Sequence, residues 1–180
     1  MGFVIGACAS HIPIYTSASY RTLPSPSSRV SVSSNNMAIL VTAETWLQDR
    51  DLYVIPQNTA RPNAMASNEA PCLDGCETAT ALKAAKTAGA DYLILFNVST
   101  EHAPERLSIV IKSFATKTGE EIFRAEGTEL SGGERMHPED QNEALNHIVC
   151  HTLATVWRYR PGGPSDDRSN HYCHIHHRHA

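Results

Sequence analysis

The sequence lacks a membrane-length apolar run and a basic cluster. Its longest apolar stretch, around Tyr92 to Val98, falls far short of the roughly 18 to 20 residues that a membrane-spanning helix requires. The 15 basic and 19 acidic residues give a formal net charge of -4. We therefore predict no bilayer-spanning helix, and electrostatics give no reason to expect nucleic acid as a partner.

Catalytic signatures are also missing. The sequence has no Gly-x-Ser-x-Gly elbow, phosphate-binding loop or dinucleotide fingerprint. Glu120 and Glu121 are adjacent, so a strand would direct their side chains to opposite faces and keep them from sharing acid–base work. We predict that the chain is not an enzyme and carries no cofactor.

What is present favours one domain with a tail at each end. A chain of 180 residues with 41% hydrophobic content can bury one core but is short for two. The segment 9–28 is rich in Ser, Thr, Tyr and Pro, shows no helical or strand period, and is predicted to be a flexible linker. The domain is placed at 29–160. The remainder, 161–180, opens with Pro-Gly-Gly-Pro and is predicted to be a disordered His-rich tail.

Apolar periodicity within 29–160 predicts the order β-α-β-α-β-β-β-α. The fold class is therefore α/β (α+β), a mixed β-sheet of about five strands flanked by about three helices. The last helix carries one stripe that should face the core: Leu145, Ile148, Val149, Thr152, Leu153, Val156 and Trp157. The elements are predicted near 29–33 (β), 37–47 (α), 51–55 (β), 77–88 (α), 91–99 (β), 107–111 (β), 121–130 (β) and 138–158 (α).

The first eight residues hold a candidate lipid-attachment site. Met1 to Ala7 form a short apolar run that ends in small residues, and Cys8 follows directly. This order resembles a bacterial lipobox, which implies that the Cys8 thiol carries lipid such as palmitate once the preceding signal peptide is removed. Most of a signal peptide is missing from 1–8, so this interpretation requires a start upstream or a truncated sequence. The alternative is that 3–5 begin a buried strand and Cys8 is an apolar filler.

A second resemblance covers most of the predicted domain. Ala-Gly-Ala-Asp-Tyr-Leu-Ile-Leu at 88–95 leads from a helix into a central strand, and Ala-Thr-Lys-Thr-Gly-Glu at 115–120 forms a hairpin turn. These segments resemble a family of bacterial envelope proteins that includes the N-terminal domain of TolB, LpoB and CsgG-like lipoproteins. The resemblance implies a mixed sheet flanked by helices, and it carries over no catalytic residue.

The same resemblance implies a location and a role. It implies a lipid-anchored protein on the periplasmic side of a bacterial membrane, with the outer membrane favoured. The role would be that of a protein-binding adaptor or an assembly or secretion accessory factor, whose partner is another envelope protein. Homo-oligomerisation stays open. The additional strands of CsgG-like pores are missing from this sequence, which argues against pore formation.

The cysteines beyond Cys8 have different predicted roles. Cys72 and Cys76 flank Leu-Asp-Gly just before the second helix, where a local loop could join their sulfurs in an oxidising compartment. Two reduced thiols in a loop are the alternative. Some relatives in the resembling family also have a cysteine pair ahead of this helix. Cys150, beside Val149, is predicted to be a buried packing residue.

The tail supports an alternative function, that of an envelope metal-binding protein. Segments rich in histidine and cysteine bind Zn, Cu or Ni without a preformed site, so we predict no specific metal site in the tail. The candidate ligands are His171, Cys173, His174, His176, His177 and His179.

Two further histidines lie on the last predicted helix. His147 and His151 are four residues apart and share one helical face. They could form a two-ligand metal platform or a solvated face. No third ligand is near in sequence, so we favour the solvated face.

Overall fold

The computed structural model describes residues 14–55, 78–102, 105–130 and 138–158. These ranges contain six strands and three α-helices arranged as one mixed sheet with helices on both faces. In chain order the elements are β1 (Ile14–Tyr20), β2 (Arg29–Ser34), a 3-10 turn (Met37–Ile39), α1 (Leu40–Gln48), β3 (Tyr53–Val54), α2 (Thr78–Thr87), β4 (Tyr92–His102), β5 (Glu105–Ala115), β6 (Glu121–Leu130) and α3 (Pro138–Arg158).

The sheet order is β1-β6-β5-β4-β2-β3. β2 runs parallel to both β3 and β4, whereas the pairs β4–β5, β5–β6 and β6–β1 are antiparallel. The predicted fold class is confirmed, and so is the order of the eight elements that begin at Arg29.

One strand was not predicted. Ile14–Tyr20 pairs antiparallel with β6, from Ile14 opposite Glu129 to Tyr20 opposite Phe123. The prediction of a flexible linker at 9–28 is therefore wrong for these seven residues, and the domain begins before residue 29. Three of its seven residues are Ser or Thr, which weakens the apolar period that marks a strand. Its position comes from long-range pairing with β6 and from a 2.9 Å hydrogen bond between the Thr16 and Thr155 hydroxyls.

Two cores lie on opposite faces of the sheet. The smaller core packs α2 onto β4, where Leu93 and Leu95 face Ala81 and Ala85. The larger core packs α1 and α3 onto the other face, where β4 contributes Ile94 and Phe96. β4 is therefore covered on both sides, as its nearly continuous apolar sequence predicts.

The apolar stripe of α3 is confirmed. Its members are buried on the sheet side, except that Trp157 is half-buried and packs against the larger core: Leu145, Ile148, Val149, Thr152, Leu153 and Val156. The neighbouring Cys150 is buried as well, which confirms its predicted packing role. No described helix is both long enough and apolar enough to cross a membrane.

Close approach of α3 to the sheet depends on a glycine in β6. A Cβ added at Gly127 would overlap the Thr152 hydroxyl and lie 2.8 Å from Cγ2 of Ile148. Thr152 is itself buried and donates a 2.7 Å hydrogen bond to the Ile148 carbonyl oxygen. Only a residue without a side chain fits between β6 and α3 here.

Two predicted turns are confirmed. Gly89, at φ 74°, follows the end of α2, and Gly119, at φ 75°, lies in the hairpin between β5 and β6. Both positions use the left-handed conformation that glycine adopts without a steric penalty.

Candidate functional site

The sheet ends at β3, a strand of only two residues. β3 pairs in parallel with β2, with Tyr53 opposite Arg29 and Val54 opposite Val30. Side chains alternate along strands, so Val54 enters the larger core with Val30 while Tyr53 and Arg29 lie on the other face. The Tyr53 side chain is 60% exposed, which is unusual for a large aromatic residue beside a core.

A shallow pocket lies at this end of the sheet. Its volume is about 610 Å³, and it opens widely to solvent. Ser27, Arg29, Asp51, Leu52 and Tyr53 line it. The pocket therefore brings together a guanidinium, a carboxylate, a phenol and a hydroxyl. We call these five residues the β3-edge surface.

The backbone of the β3-edge surface is held in an uncommon conformation. Ser27 and Asp51 are the two non-glycine residues with positive φ in the described ranges, at 67° and 60°. The Ser27 amide donates a 2.6 Å hydrogen bond to the Asp51 carbonyl oxygen, which ties the two segments together. Left-handed backbone costs a residue with a side chain about 1 to 2 kcal/mol, and such strain collects at functional sites.

Arg29 is fixed at the rim by contacts with the end of α2. Its backbone amide donates a 2.9 Å hydrogen bond to Oδ2 of Asp91, and its Nη2 lies 3.4 Å from the Ala88 carbonyl oxygen. A Cβ at Gly89 would lie 3.2 Å from Nη1, so the glycine leaves room for the guanidinium. The carbonyl end of a helix favours a cation. Because Arg29 pairs with Tyr53, its charge lies on the same face of the sheet as the Tyr53 side chain.

A second exposed apolar pair lies elsewhere. Met37 and Val41 are 55% and 72% exposed, and they are four residues apart where the 3-10 turn runs into α1. They follow the carboxyl end of β2, whereas Tyr53 pairs with its first residue. This pair is therefore separate from the β3-edge surface. Small exposed apolar groups of this kind are common on monomeric proteins.

One acidic side chain is buried in the core face of the sheet. Glu129 is 5% exposed, and its Oε2 has no hydrogen-bond partner among the described residues. Burial raises the pKa of this carboxyl above its ordinary value, because desolvation disfavours the charged form. Since the fold favours the neutral form, ionisation of Glu129 at neutral pH lowers stability.

Several predicted site residues lie outside the described ranges. These are Cys8, Cys72, Cys76 and the tail ligands from His171 to His179, so lipidation, the disulfide and the metal-binding tail stay predictions. Within the described ranges, no group of three or more His, Cys, Asp or Glu side chains could hold a metal ion together.

The predicted pair on α3 is brought into contact. His147 and His151 are half-buried, and their Nε2 atoms are 3.0 Å apart. The interpretation of a fully solvated helix face does not fit this burial.

Sequence reasoning did not find the β3-edge surface, although one signal was present. Asp51 and Tyr53 alternate with Leu52 and Val54, which marks one exposed and one buried side of the segment. The prediction of a buried strand at 51–55 overlooked this alternation. Only Tyr53–Val54 forms the strand, because Asp51 adopts positive φ ahead of it. Nothing in the sequence indicates that Arg29 lies opposite Tyr53.

The described elements define a mixed α+β domain whose fold is found in known bacterial proteins. Lipoprotein GNA1162 from Neisseria meningitidis has 13% sequence identity, covers 71% of this chain and 97% of its own, and has a TM-score of 0.50. The PelC dodecamer from Paraburkholderia phytofirmans has 11% identity, coverages of 78% and 95%, and a TM-score of 0.49. The LpoB C-terminal domain from Salmonella enterica has 15% identity, coverages of 58% and 84%, and a TM-score of 0.46.

These similarities are similarities of fold. The predicted resemblance to bacterial envelope lipoproteins is confirmed at the level of the fold by lipoprotein GNA1162. No protein-family model and no curated protein matches the sequence.

Proposed function

We propose that the protein is a lipid-anchored component of the bacterial cell envelope that binds another envelope protein through the β3-edge surface. It acts as an adaptor or assembly factor rather than as an enzyme. The observation that carries the proposal is the exposed Tyr53 beside Arg29 at the end of the described sheet. The similarity in fold to a lipoprotein and the lipobox-like order before Cys8 support the location.

The residue types at this surface suit protein recognition. Tyr and Arg are enriched among the residues that contribute most to binding free energy at protein interfaces. Both contribute contact area as well as polar groups, and Arg29 is already held in place by the end of α2. A side chain held in this way loses less conformational entropy on binding than a mobile one.

We expect the partner to contact side chains of the β3-edge surface rather than to add a strand to the sheet. The amides of Tyr53 and Ile55 both donate to β2, to the carbonyl oxygens of Ser28 and Val30. In a strand, the backbone groups of the intervening residue point the other way, so Val54 directs its amide and carbonyl outward. Within the described residues, β3 offers a partner strand one outward-facing residue, which is too little to pair with. The partner is therefore expected to present a carboxylate for Arg29 next to an apolar side chain for Tyr53.

Membrane association should depend on Cys8. When cells express the full-length precursor with Cys8→Ala, fractionation should move the protein out of the membrane pellet, because no segment of residues 9–180 is apolar enough to hold it there. The neighbouring substitution Ser10→Ala is the control and should stay with the membrane. Retention of all the Cys8→Ala protein in the membrane would contradict the lipid anchor.

Tyr53→Ala should weaken partner binding at least tenfold without loss of stability. Truncation of an interface aromatic commonly costs 2 kcal/mol or more of binding free energy, whereas an exposed side chain contributes little to folding. A photo-crosslinking amino acid at Tyr53 identifies the partner in intact envelopes, and the same group at Val41 is the matched control. The purified partner then allows affinities to be measured for Tyr53→Ala and Val41→Ala.

The outcome at the two positions decides the proposal. A discrete adduct formed from position 53 but not from 41, with affinity lost only in Tyr53→Ala, is the expected result. Equal adducts from both positions, or unchanged affinity of Tyr53→Ala, would place the binding surface elsewhere. The denaturant midpoint of each variant shows whether a loss of binding arises from unfolding.

A further inference from the structure

Two histidine side chains on α3 meet at their ring nitrogens. His147 and His151 are one helical turn apart, with Nε2 atoms separated by 3.0 Å and ring planes inclined at 88°. Both side chains are half-buried. The proposed protein-binding function makes no use of this pair, which lies on a different element from the β3-edge surface.

The separation of the two nitrogens matches that of two ligands of one metal ion. Imidazole nitrogens bind Zn²⁺ at about 2.0 to 2.1 Å, which places two such nitrogens about 2.9 Å apart at a right angle and about 3.3 Å apart at the tetrahedral angle. The observed 3.0 Å lies within that interval. A cation could therefore replace the shared hydrogen with little movement of either ring.

The backbone that carries the pair is firmly held. Ile148 and Thr152 follow His147 and His151 directly in sequence, and both are fully buried against the sheet. Thr152 also donates a hydrogen bond to the Ile148 carbonyl oxygen. Ligands projecting from a packed helix keep their relative positions, which reduces the entropy that metal binding must overcome.

We propose that His147 and His151 form a two-ligand chelate for a borderline divalent cation such as Zn²⁺. In the metal-free pair one ring donates its Nε2 hydrogen to the other. When the cation binds both Nε2 atoms, that hydrogen moves to Nδ1 of the same neutral ring, and no electron is transferred. Within the described ranges no third His, Cys, Asp or Glu completes the site, and the proposal assigns the pair two coordination positions only.

The test must separate this pair from the histidine-rich tail. The starting protein is the full chain with the five tail histidines changed to Gln and Cys173→Ser, called here the tail-silent protein. Every other potential ligand is kept. A difference between this protein and its His147 or His151 variants therefore reports on the pair alone.

Zinc should stabilise the tail-silent protein in a saturable manner. A ligand that binds only the folded state at one hundred times its Kd raises the folding equilibrium constant about one hundredfold. The urea midpoint should accordingly rise with Zn²⁺ and level off, whereas Mg²⁺, which prefers oxygen ligands, should leave it unchanged. Calorimetric titration should give one Zn²⁺ assigned to the pair.

Substitution of each ligand decides the proposal. His147→Gln and His151→Gln should each abolish the rise in midpoint and the calorimetric site. His151→Cys, which returns a zinc ligand to the same position, should restore the rise, as a purely structural role would not. If the tail-silent protein shows no saturable rise, or if the rise persists in both Gln variants, the chelate is refuted. The two Gln variants are tested separately, so poor folding of one leaves the other decisive.

Discussion

Replacement of Leu153 by alanine should lower the free energy of unfolding by about 2 to 5 kcal/mol. Leu153 lies on α3 and is fully buried in the larger core. Truncation to alanine removes apolar surface from the core and leaves a cavity that the surrounding side chains can fill only in part. The expected loss is a large fraction of the total stability of a domain of this size.

Val41→Ala is the matched control for Leu153→Ala. Val41 is an aliphatic residue on a helix of the same domain, but its side chain is 72% exposed. Its truncation should change the unfolding free energy by no more than about 0.5 kcal/mol. Urea denaturation of both variants gives the comparison. Equal midpoints for the two variants would show that α3 does not pack its Leu153 stripe on the sheet.

Gly127→Ala should destabilise the domain by about 1 to 3 kcal/mol, although it adds a single methyl group. An added Cβ would overlap the Thr152 hydroxyl and crowd Ile148, so α3 would have to move away from β6. The backbone of Gly127 does not require glycine, because its φ is not among the positive ones. The expected cost is therefore steric rather than conformational.

A second substitution tests this steric explanation. Thr152→Ala removes the hydroxyl that the added Cβ would meet, so Gly127→Ala should be less damaging in the Thr152→Ala background. The crowding with Ile148 stays, which makes the expected rescue partial. A double-mutant cycle measured by urea denaturation should give a favourable coupling energy of about 0.5 kcal/mol or more. Strictly additive effects would show that the two positions are not in contact.

Local sequence accounts for the part of the fold that the predictions recovered. The apolar stripe of α3 and the continuous apolar run of β4 are each visible within a single segment of the sequence. Gly89 and Gly119 similarly mark their turns through a conformation that other residues rarely adopt. Such features need only neighbouring residues, so composition and spacing are enough to predict them.

The strand β1 could not be predicted from its local sequence. The segment from Ile14 to Tyr20 has the composition of a linker and becomes a strand because β6 offers it a pairing edge. Its partners lie more than one hundred residues away, and Thr16 bonds to Thr155, still further along the chain. No window of local sequence contains that information.

By itself, the sequence determined eight of the elements, their order and the buried side of α3, because apolar periodicity acts within single segments. Only the tertiary structure decided three further features. Arg29 lies opposite Tyr53, Gly127 allows α3 to pack closely on β6, and the Nε2 atoms of His147 and His151 are in contact. The first two depend on pairing and packing between distant segments. The third depends on side-chain conformations that α3 adopts once it is packed on the sheet. The residues of the proposed binding surface and of the proposed chelate belong to the second group.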